Sequence, residues 1–474
     1  MKQVRLWKNI MVNDMKVWVN KCIEENREAE FQEAVTFNIN IPGVSGKITS
    51  NIYENWYQLL GVRNVSEICE DLYIVALSVF AADKRISRTK TTDNWTRSLH
   101  ISIPVIEKER WDSVNDELGK MLSYLSGDVW KISFRRCSRD YRYMNMRRQN
   151  PVQNTKLQTY EIVSLFSGGL DSYCGAYEFM NQRKNTIFVS YKEYGKLEPI
   201  QKSLINNLDA IFPDVEKLLF TFTARAYAPI YGESIPAENT SRSRSFLFLC
   251  AAICIADIIG DEIPVYIPEN GFIGLNLPMT PSRIGSCSTR TTHPHFIRTF
   301  NQILTKINIA HTITNPYAFQ TKREMVKKYA EIPGFLEGIS KTISCSHPCN
   351  GRWLGRSQPG NCGYCYPCLI RQSSLLDVEV PNEKYSYDVL SYEYLQNATN
   401  ARSSDLMDLL SSISLAKKSS DNDLLKRINR TGRLTREEAS AFLRLYKATI
   451  SDLIQLFSHD ADLMRIMGVP NEID

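Results

Sequence analysis

The 474-residue sequence predicts an α/β protein: a doubly wound parallel sheet, preceded by an α+β domain and followed by a helical C-terminal region. Three observations predict it. Between Glu161 and Leu275, short apolar β-branched runs alternate with helix-like segments. In the first third, "RSLHISIPV" puts Leu99, Ile101, Ile103 and Val105 on one face of a strand. Beyond about residue 376 only helical periodicity remains. The expected domains are therefore 1–157, 158–375 and 376–474.

In the N-terminal domain, "SEICEDLYIVALSVFAADKRI" reads as an amphipathic helix, and a second helix is expected from Glu107 to Leu125 ahead of the strand "VWKISFR". The run "FRRCSRDYRYMNMRRQNP" holds six arginines against one aspartate, with Phe134, Tyr141 and Tyr143 interleaved. Such a run can track a nucleic-acid backbone and stack bases, but it is more often a solvated connector, which is the reading favoured here.

In the middle domain "EIVSLF" is a buried strand and "DSYCGAYEFMNQRK" a helix, with Asp171 placed to cap it. Between them stands "SGGLDS", Ser167 to Ser172. A strand, a glycine turn and a helix start aim several backbone N–H groups and the positive end of a helix at one point, which suits phosphate. Glycines at 168 and 169 allow close approach, and the hydroxyls of Ser167 and Ser172 add donors. It is not a Walker loop, because the Gly-Lys-Ser/Thr ending is absent.

The alternation continues through "TIFVSY" (strand), "EPIQKSLINNLDAIF" (helix), "KLLFTF" (strand), "SRSRSFLFLCAAICIADIIG" (helix) and "VYIPENGFIGL" (strand and loop). The apolar helix from Phe246 to Ile259 is interrupted by Asp257 and too short to span a bilayer, so it is expected in a core. "PENG" falls just past its strand, where open α/β sheets bind ligands. Arg242 and Arg244 stand at a helix start, where a cation is disfavoured unless it meets an anion; a solvated surface is the alternative. "STRTTHPHF" is a polar loop in which His293 and His295 also suit the capping of the next helix.

Five of the 12 cysteines lie between 345 and 368: Cys345, Cys349, Cys362, Cys365 and Cys368. Cys-x2-Cys-x2-Cys spacing places thiolates on one ion, and four of them suit a tetrahedral structural zinc. The alternatives are an iron–sulfur cluster or disulfides, the latter disfavoured in a chain without a secretory segment.

Taken together, SGGLDS resembles the PP-loop of the ATP pyrophosphatases, and the Cys-Gly-x-Cys-x2-Cys segment followed by Arg371 resembles the zinc segment of the 7-cyano-7-deazaguanine synthases. The resemblance covers roughly residues 158 to 375 and adds "SRSRSFLFL" and "IPENG". An α+β module ahead of such a domain is similar to the QueC-like proteins of bacterial anti-phage defence systems of the Qat type. The resemblance implies a PP-loop (HUP-like) fold and a ligase that uses ATP with Mg²⁺, releases pyrophosphate and adenylates 7-carboxy-7-deazaguanine. It implies that Ser167, Gly168, Gly169, Leu170, Asp171 and Ser172 hold the pyrophosphate end of ATP, that Asp171 orients metal or loop, and that Arg242 and Arg244 offset leaving-group charge. Glu269, Asn270, Arg290 and His293 would contact the acid. The substrate loop reads Arg-Thr-Thr-His-Pro rather than the Pro-Asp-Cys-Arg-Pro type of the housekeeping enzyme, which leaves the product open. Ser344-Cys345 matches the family's first zinc ligand, giving Cys345, Cys362, Cys365 and Cys368, with Cys349 or His347 as substitutes.

The product expected here is an amide, formed with an amine on a partner protein of the same defence system. A nitrile-forming synthase using ammonia, a tRNA-thiolating enzyme and a non-catalytic nucleotide-binding module are the alternatives. In the last domain a capping box, Thr435 to Glu438, opens a helix whose stripe from Phe442 to Phe457 is expected to pack in a core. A net charge of +5 is too mild to argue nucleic acid, and no long apolar span argues for a membrane, so the expectation is a cytoplasmic protein.

Overall fold

The structure, a computed structural model, describes residues 14–21, 23–39, 50–55, 65–137, 157–229, 237–238, 242–278 and 290–469. Most of the arginine-rich run, from 138 onward, lies outside them, as do Ser288 and Thr289 of the polar loop. In chain order the strands are β1 Met15–Lys21, β2 Val35–Ile39, β3 Ile52–Glu54, β4 Ser98–Val105, β5 Val129–Arg136, β6 Ile162–Leu165, β7 Thr186–Tyr191, β8 Lys217–Phe222, β9 Ala224–Ala226, β10 Val265–Tyr266 and β11 Ile313–Thr314.

The chain folds as two compact units. The first comprises Met1–Gln158, Phe222–Ile263 and Arg298–Thr312; the second Thr159–Thr221, Pro264–Ile297 and Ile313–Asp474. The segment expected as one middle domain thus contributes to both, and the C-terminal helices belong with the glycine loop.

The first unit holds a six-stranded sheet in the order β5-β4-β1-β2-β3-β9. Its pairs are parallel except β3 with β9. This is α/β architecture where the sequence suggested α+β. β4 shows why: Leu99 to Val105 are all buried, the nominally polar face included. His100 packs its ring at a tilt against Phe31, centroids 4.8 Å apart, and meets Ser133 Oγ at 2.9 Å, and Ser102 Oγ accepts from Arg135. A central parallel strand is covered on both faces, so strict alternation did not mean a wet side.

The Glu67–Arg85 helix is capped by Ser66, whose hydroxyl accepts from Cys69 N. Asp257, the charge that interrupts the apolar Arg244–Ile259 helix, accepts from Ser66 N at 2.7 Å and from Ser66 Oγ at 2.9 Å. One carboxylate therefore ties the 222–263 segment to the helix of the first unit. The single helix expected from Glu107 to Leu125 is two, Lys108–Asp112 and Asn115–Ser126. The break comes at Ser113, whose hydroxyl bonds back to Arg110 O at 2.6 Å and competes with the helix ladder.

The second unit holds a five-stranded sheet in the order β11-β10-β6-β7-β8, in which β11·β10, β10·β6 and β6·β7 are parallel. Chain order runs outward from β6 through β7 to β8, then restarts on its other side at β10. The direction of winding therefore reverses between β6 and β10, the position where open α/β sheets form a crevice at their carboxyl ends. The capping box at Thr435 and Glu438 forms, and the Phe442–Phe457 stripe packs against the cysteine segment in one core. Among the described residues no helix is long and apolar enough to cross a membrane.

Candidate functional site

SGGLDS follows β6 directly and opens the Leu170–Asn181 helix. Gly168 has φ +86°, a left-handed conformation that a side chain resists, and Gly169 rather than Asp171 takes the cap position. Three successive amides converge on three serine hydroxyls. Gly168 N donates to Ser172 Oγ at 3.2 Å, Gly169 N to Ser167 Oγ at 3.3 Å and Leu170 N to Ser344 Oγ at 3.0 Å. Row upon row of donors at a helix start is a nest for an anion's oxygens, and neutral hydroxyls stand in those places here.

Asp171 is only 8% exposed, with Oδ2 accepting from Asn270 Nδ2 at 3.0 Å and paired with Lys322 Nζ at 3.2 Å. Its Oδ1 is buried and has no hydrogen-bond partner. Asn270 comes from the loop after β10 and also caps the short Gly271–Leu275 helix, its Oδ1 accepting from Ile273 N at 3.1 Å. The loops after β6 and β10 thus meet at the reversal point. Asn315 fixes the second of them, accepting from Glu269 N and donating to Glu269 O at 2.9 Å.

Glu269 sits beside this carboxylate. Loss of solvent, then the Asp171 charge and a hydrogen bond with Asp171, push Glu269 well above the usual carboxylate range. The folded chain binds a proton there that the unfolded chain releases. This contribution to stability is complete below the ordinary Glu value of about 4.3 and is lost as pH rises toward the folded value. Glu269→Gln, which mimics the protonated form, should flatten that decline with rising pH in thermal melts taken across pH, whereas an unchanged slope would remove Glu269 as its source.

The sequence reading missed Lys322. It opens a helix behind the Thr321/Glu324 capping box and is buried, and its only sequence signal was that box, which marks a helix start and not a charge at a site. Arg242 lies in the first unit, where its guanidinium stacks on Trp95 at 4.5 Å and donates to Ser126 O. Arg244 begins the Arg244–Ile259 helix of that unit. Arg290 begins a single helical turn, Arg290–Thr292. His293 is buried, meets Thr431 Oγ1 at 2.9 Å and Phe442 at 6.2 Å, and accepts from His295 N through Nδ1 at 3.1 Å, the capping geometry. The structure therefore gathers Ser167 to Ser172, Glu269, Asn270 and Lys322, and holds His293 by the C-terminal helices.

The sulfur atoms of Cys345, Cys362, Cys365 and Cys368 lie within 4.8 Å of one another, close enough for four ligands on one metal ion. Cys349 is exposed and neither it nor His347 joins the group. Backbone amides point at the sulfurs: Cys362 N and His347 N to Cys345 Sγ at 3.3 Å, Cys365 N to Cys362 Sγ and Ser346 N to Cys365 Sγ at 3.4 Å. Such amides stabilise thiolates. Hydrogen bonds from neighbouring thiols, Cys345 foremost, likewise lower Cys362 and Cys365 below the ordinary thiol value.

The cysteine segment also braces the glycine loop. Ile343 N donates to Gly168 O at 3.0 Å, and Ser344, whose hydroxyl meets Leu170 N, has its own N–H on Asn361 Oδ1 at 3.0 Å, next to Cys362. Below them the fully buried Arg371 pairs with Glu383 at 2.8 Å and donates to Thr342 Oγ1 and Ile339 O. No protein-family model matches the chain, and no curated protein matches it.

Proposed function

We propose that the second unit is a PP-loop ATP pyrophosphatase of the 7-cyano-7-deazaguanine synthase type, activating a deazaguanine carboxylate for amide formation. One observation carries the reading: at the reversal point of a parallel sheet, three converging amides lie beside a buried aspartate with one uncommitted oxygen and a buried lysine. Polyphosphate oxygens replace the serine hydroxyls as acceptors of the Gly168, Gly169 and Leu170 amides, and Ser167 and Ser172 turn to donate. Asp171 Oδ1 fits a hard divalent cation, and Mg²⁺ held there with ATP would neutralise phosphate charge. Lys322 supplies the remaining positive charge; the Arg242 guanidinium is engaged by Ser126 and Trp95 and is not needed for it.

The substrate carboxylate attacks the α-phosphorus and pyrophosphate leaves. An amine then attacks the acyl carbon and AMP leaves, giving the amide. Adenylation is required because a free carboxylate is a poor acceptor for amines. Glu269 and Asn270, on the loop beside Asp171, would contact the acid. Four cysteine sulfurs, three of them with amide support, fit Zn²⁺, and in this reading the metal braces the loop and does not react.

The acceptor is an amine on a protein partner of the same defence system, consistent with a chain that carries a second compact unit besides the one assigned the chemistry. Incubation with ATP, the deazaguanine acid and co-expressed neighbours should add the acyl mass to one of them, dependent on Asp171. Conversion of acid and ammonia to the free nitrile, with no partner labelled, would return the reaction to the housekeeping type.

A further inference from the structure

The three amides of the glycine loop differ in what fixes their peptide planes. In a trans peptide the C=O and N–H point opposite ways, so a group that grips the carbonyl also aims the amide behind it. No peptide bond among the described residues is cis. Gly169 O, which backs the Leu170 amide, accepts from Tyr173 N at 3.0 Å and from Ser172 Oγ at 2.9 Å. Gly168 O, which backs the Gly169 amide, accepts from Ile343 N at 3.0 Å. Ser167 O, which backs the Gly168 amide, accepts from a side chain of another helix, Gln201 Nε2, at 3.2 Å.

Gln201 stands on the Leu197–Ile211 helix, whose other buried residues are Leu197, Leu204, Ile205 and Leu208. Four residues after Leu197 and three before Leu204, it occupies a place in that apolar stripe. It is fully buried, and its Oε1 has no hydrogen-bond partner. A buried amide with one end unsatisfied costs stability, which an apolar side chain of the same length would not. Its carboxamide is turned toward the loop, and its Cγ lies 3.2 Å from where a Cβ on Gly168 would stand. Gly168 itself has φ +86° and no side chain, so the peptide before it turns at little cost unless its carbonyl is held.

We propose that Gln201 is a positioning residue for polyphosphate: it grips the Ser167 carbonyl and so keeps the Gly168 amide aimed at the phosphate oxygens. The proposal rests on the reading of this loop as the ATP site. Without the grip, the Ser167–Gly168 peptide turns among several orientations, and a donor that should be in place beforehand must be ordered during the reaction. The helix gives up stability at position 201, and the loop gains a fixed donor.

The test is Gln201→Met, an unbranched side chain of similar length that removes both the donor and the unsatisfied oxygen. In the full chain its melting temperature should equal or exceed that of wild type, while kcat/KM for ATP-dependent pyrophosphate release falls about 10²-fold. With ¹⁵N-glycine labelling, the Gly168 amide signal of wild type should shift on addition of Mg²⁺ and inorganic pyrophosphate. In Gln201→Met the same signal should be broadened and its shift weakened. A wild-type rate and an unaltered Gly168 response in the variant would overturn the role of Gln201 and leave that of the loop standing. A variant that melts below wild type would also overturn it, because Gln201 would then be an ordinary core contact. A Gly168 amide that ignores pyrophosphate in wild type would remove the loop as the polyphosphate site, and the role of Gln201 with it.

Discussion

Asp171→Asn should lower ATP-dependent pyrophosphate release by about 10³-fold, in a protein that purifies folded. Asparagine keeps the shape and a neutral contact to Asn270 but removes the charge that Oδ1 offers a cation. Alanine is the poorer test. It would take from Lys322, buried and paired with Asp171 at 3.2 Å, the acceptor oxygen as well as the charge, and breaking a buried pair from one side costs about 3–5 kcal/mol. Lys322→Met should likewise cut kcat and leave stability closer to wild type when combined with Asp171→Asn, since both charges then go together. Pyrophosphate release at the wild-type rate in a folded Asp171→Asn protein would remove the aspartate from the mechanism.

The second large effect concerns the cysteines. One zinc per chain should be found, and Cys365→Ser or chelation should lower the melting temperature of the second unit sharply, since a structural zinc site contributes about 10 kcal/mol or more of binding free energy to the fold. Pyrophosphate release should fall with it, because Ile343 and Ser344 carry the restraint from the sulfur cluster to Gly168 and Leu170. Cys349→Ser should change neither, as its side chain is exposed and lies outside the group. A visible iron–sulfur absorption band, or full stability without metal, would overturn the assignment.

Local signals were legible in the sequence. SGGLDS after a β-branched run placed the glycine loop, thiol spacing placed Cys362, Cys365 and Cys368 while the family resemblance supplied Cys345 as the fourth member, and Thr435 with Glu438 placed the long C-terminal helix. Each is a pattern within a few residues whose geometry is fixed by short-range sterics and hydrogen bonding. What depended on chain reversal was not legible. The membership of residues 222–263 in the first unit rests on Asp257 capping a helix almost two hundred residues earlier. The polar face of β4 is buried because His100 and Ser102 find Ser133 and Arg135 on the neighbouring strand. Lys322 reaches Asp171 only after the sheet has closed. His293 looked like a substrate group in a polar loop and sits against Thr431, a partner that no local spacing points to.

The central claim is that a carboxylate attacks the α-phosphorus of ATP over the glycine loop. The most direct measurement uses 7-carboxy-7-deazaguanine labelled with ¹⁸O in its carboxylate, incubated with ATP, Mg²⁺ and an amine, with the nucleotide products read by mass spectrometry. The account predicts AMP carrying one ¹⁸O, formed together with unlabelled pyrophosphate and absent with Asp171→Asn. ADP as the product, or AMP that forms without the acid and carries no label, would contradict it.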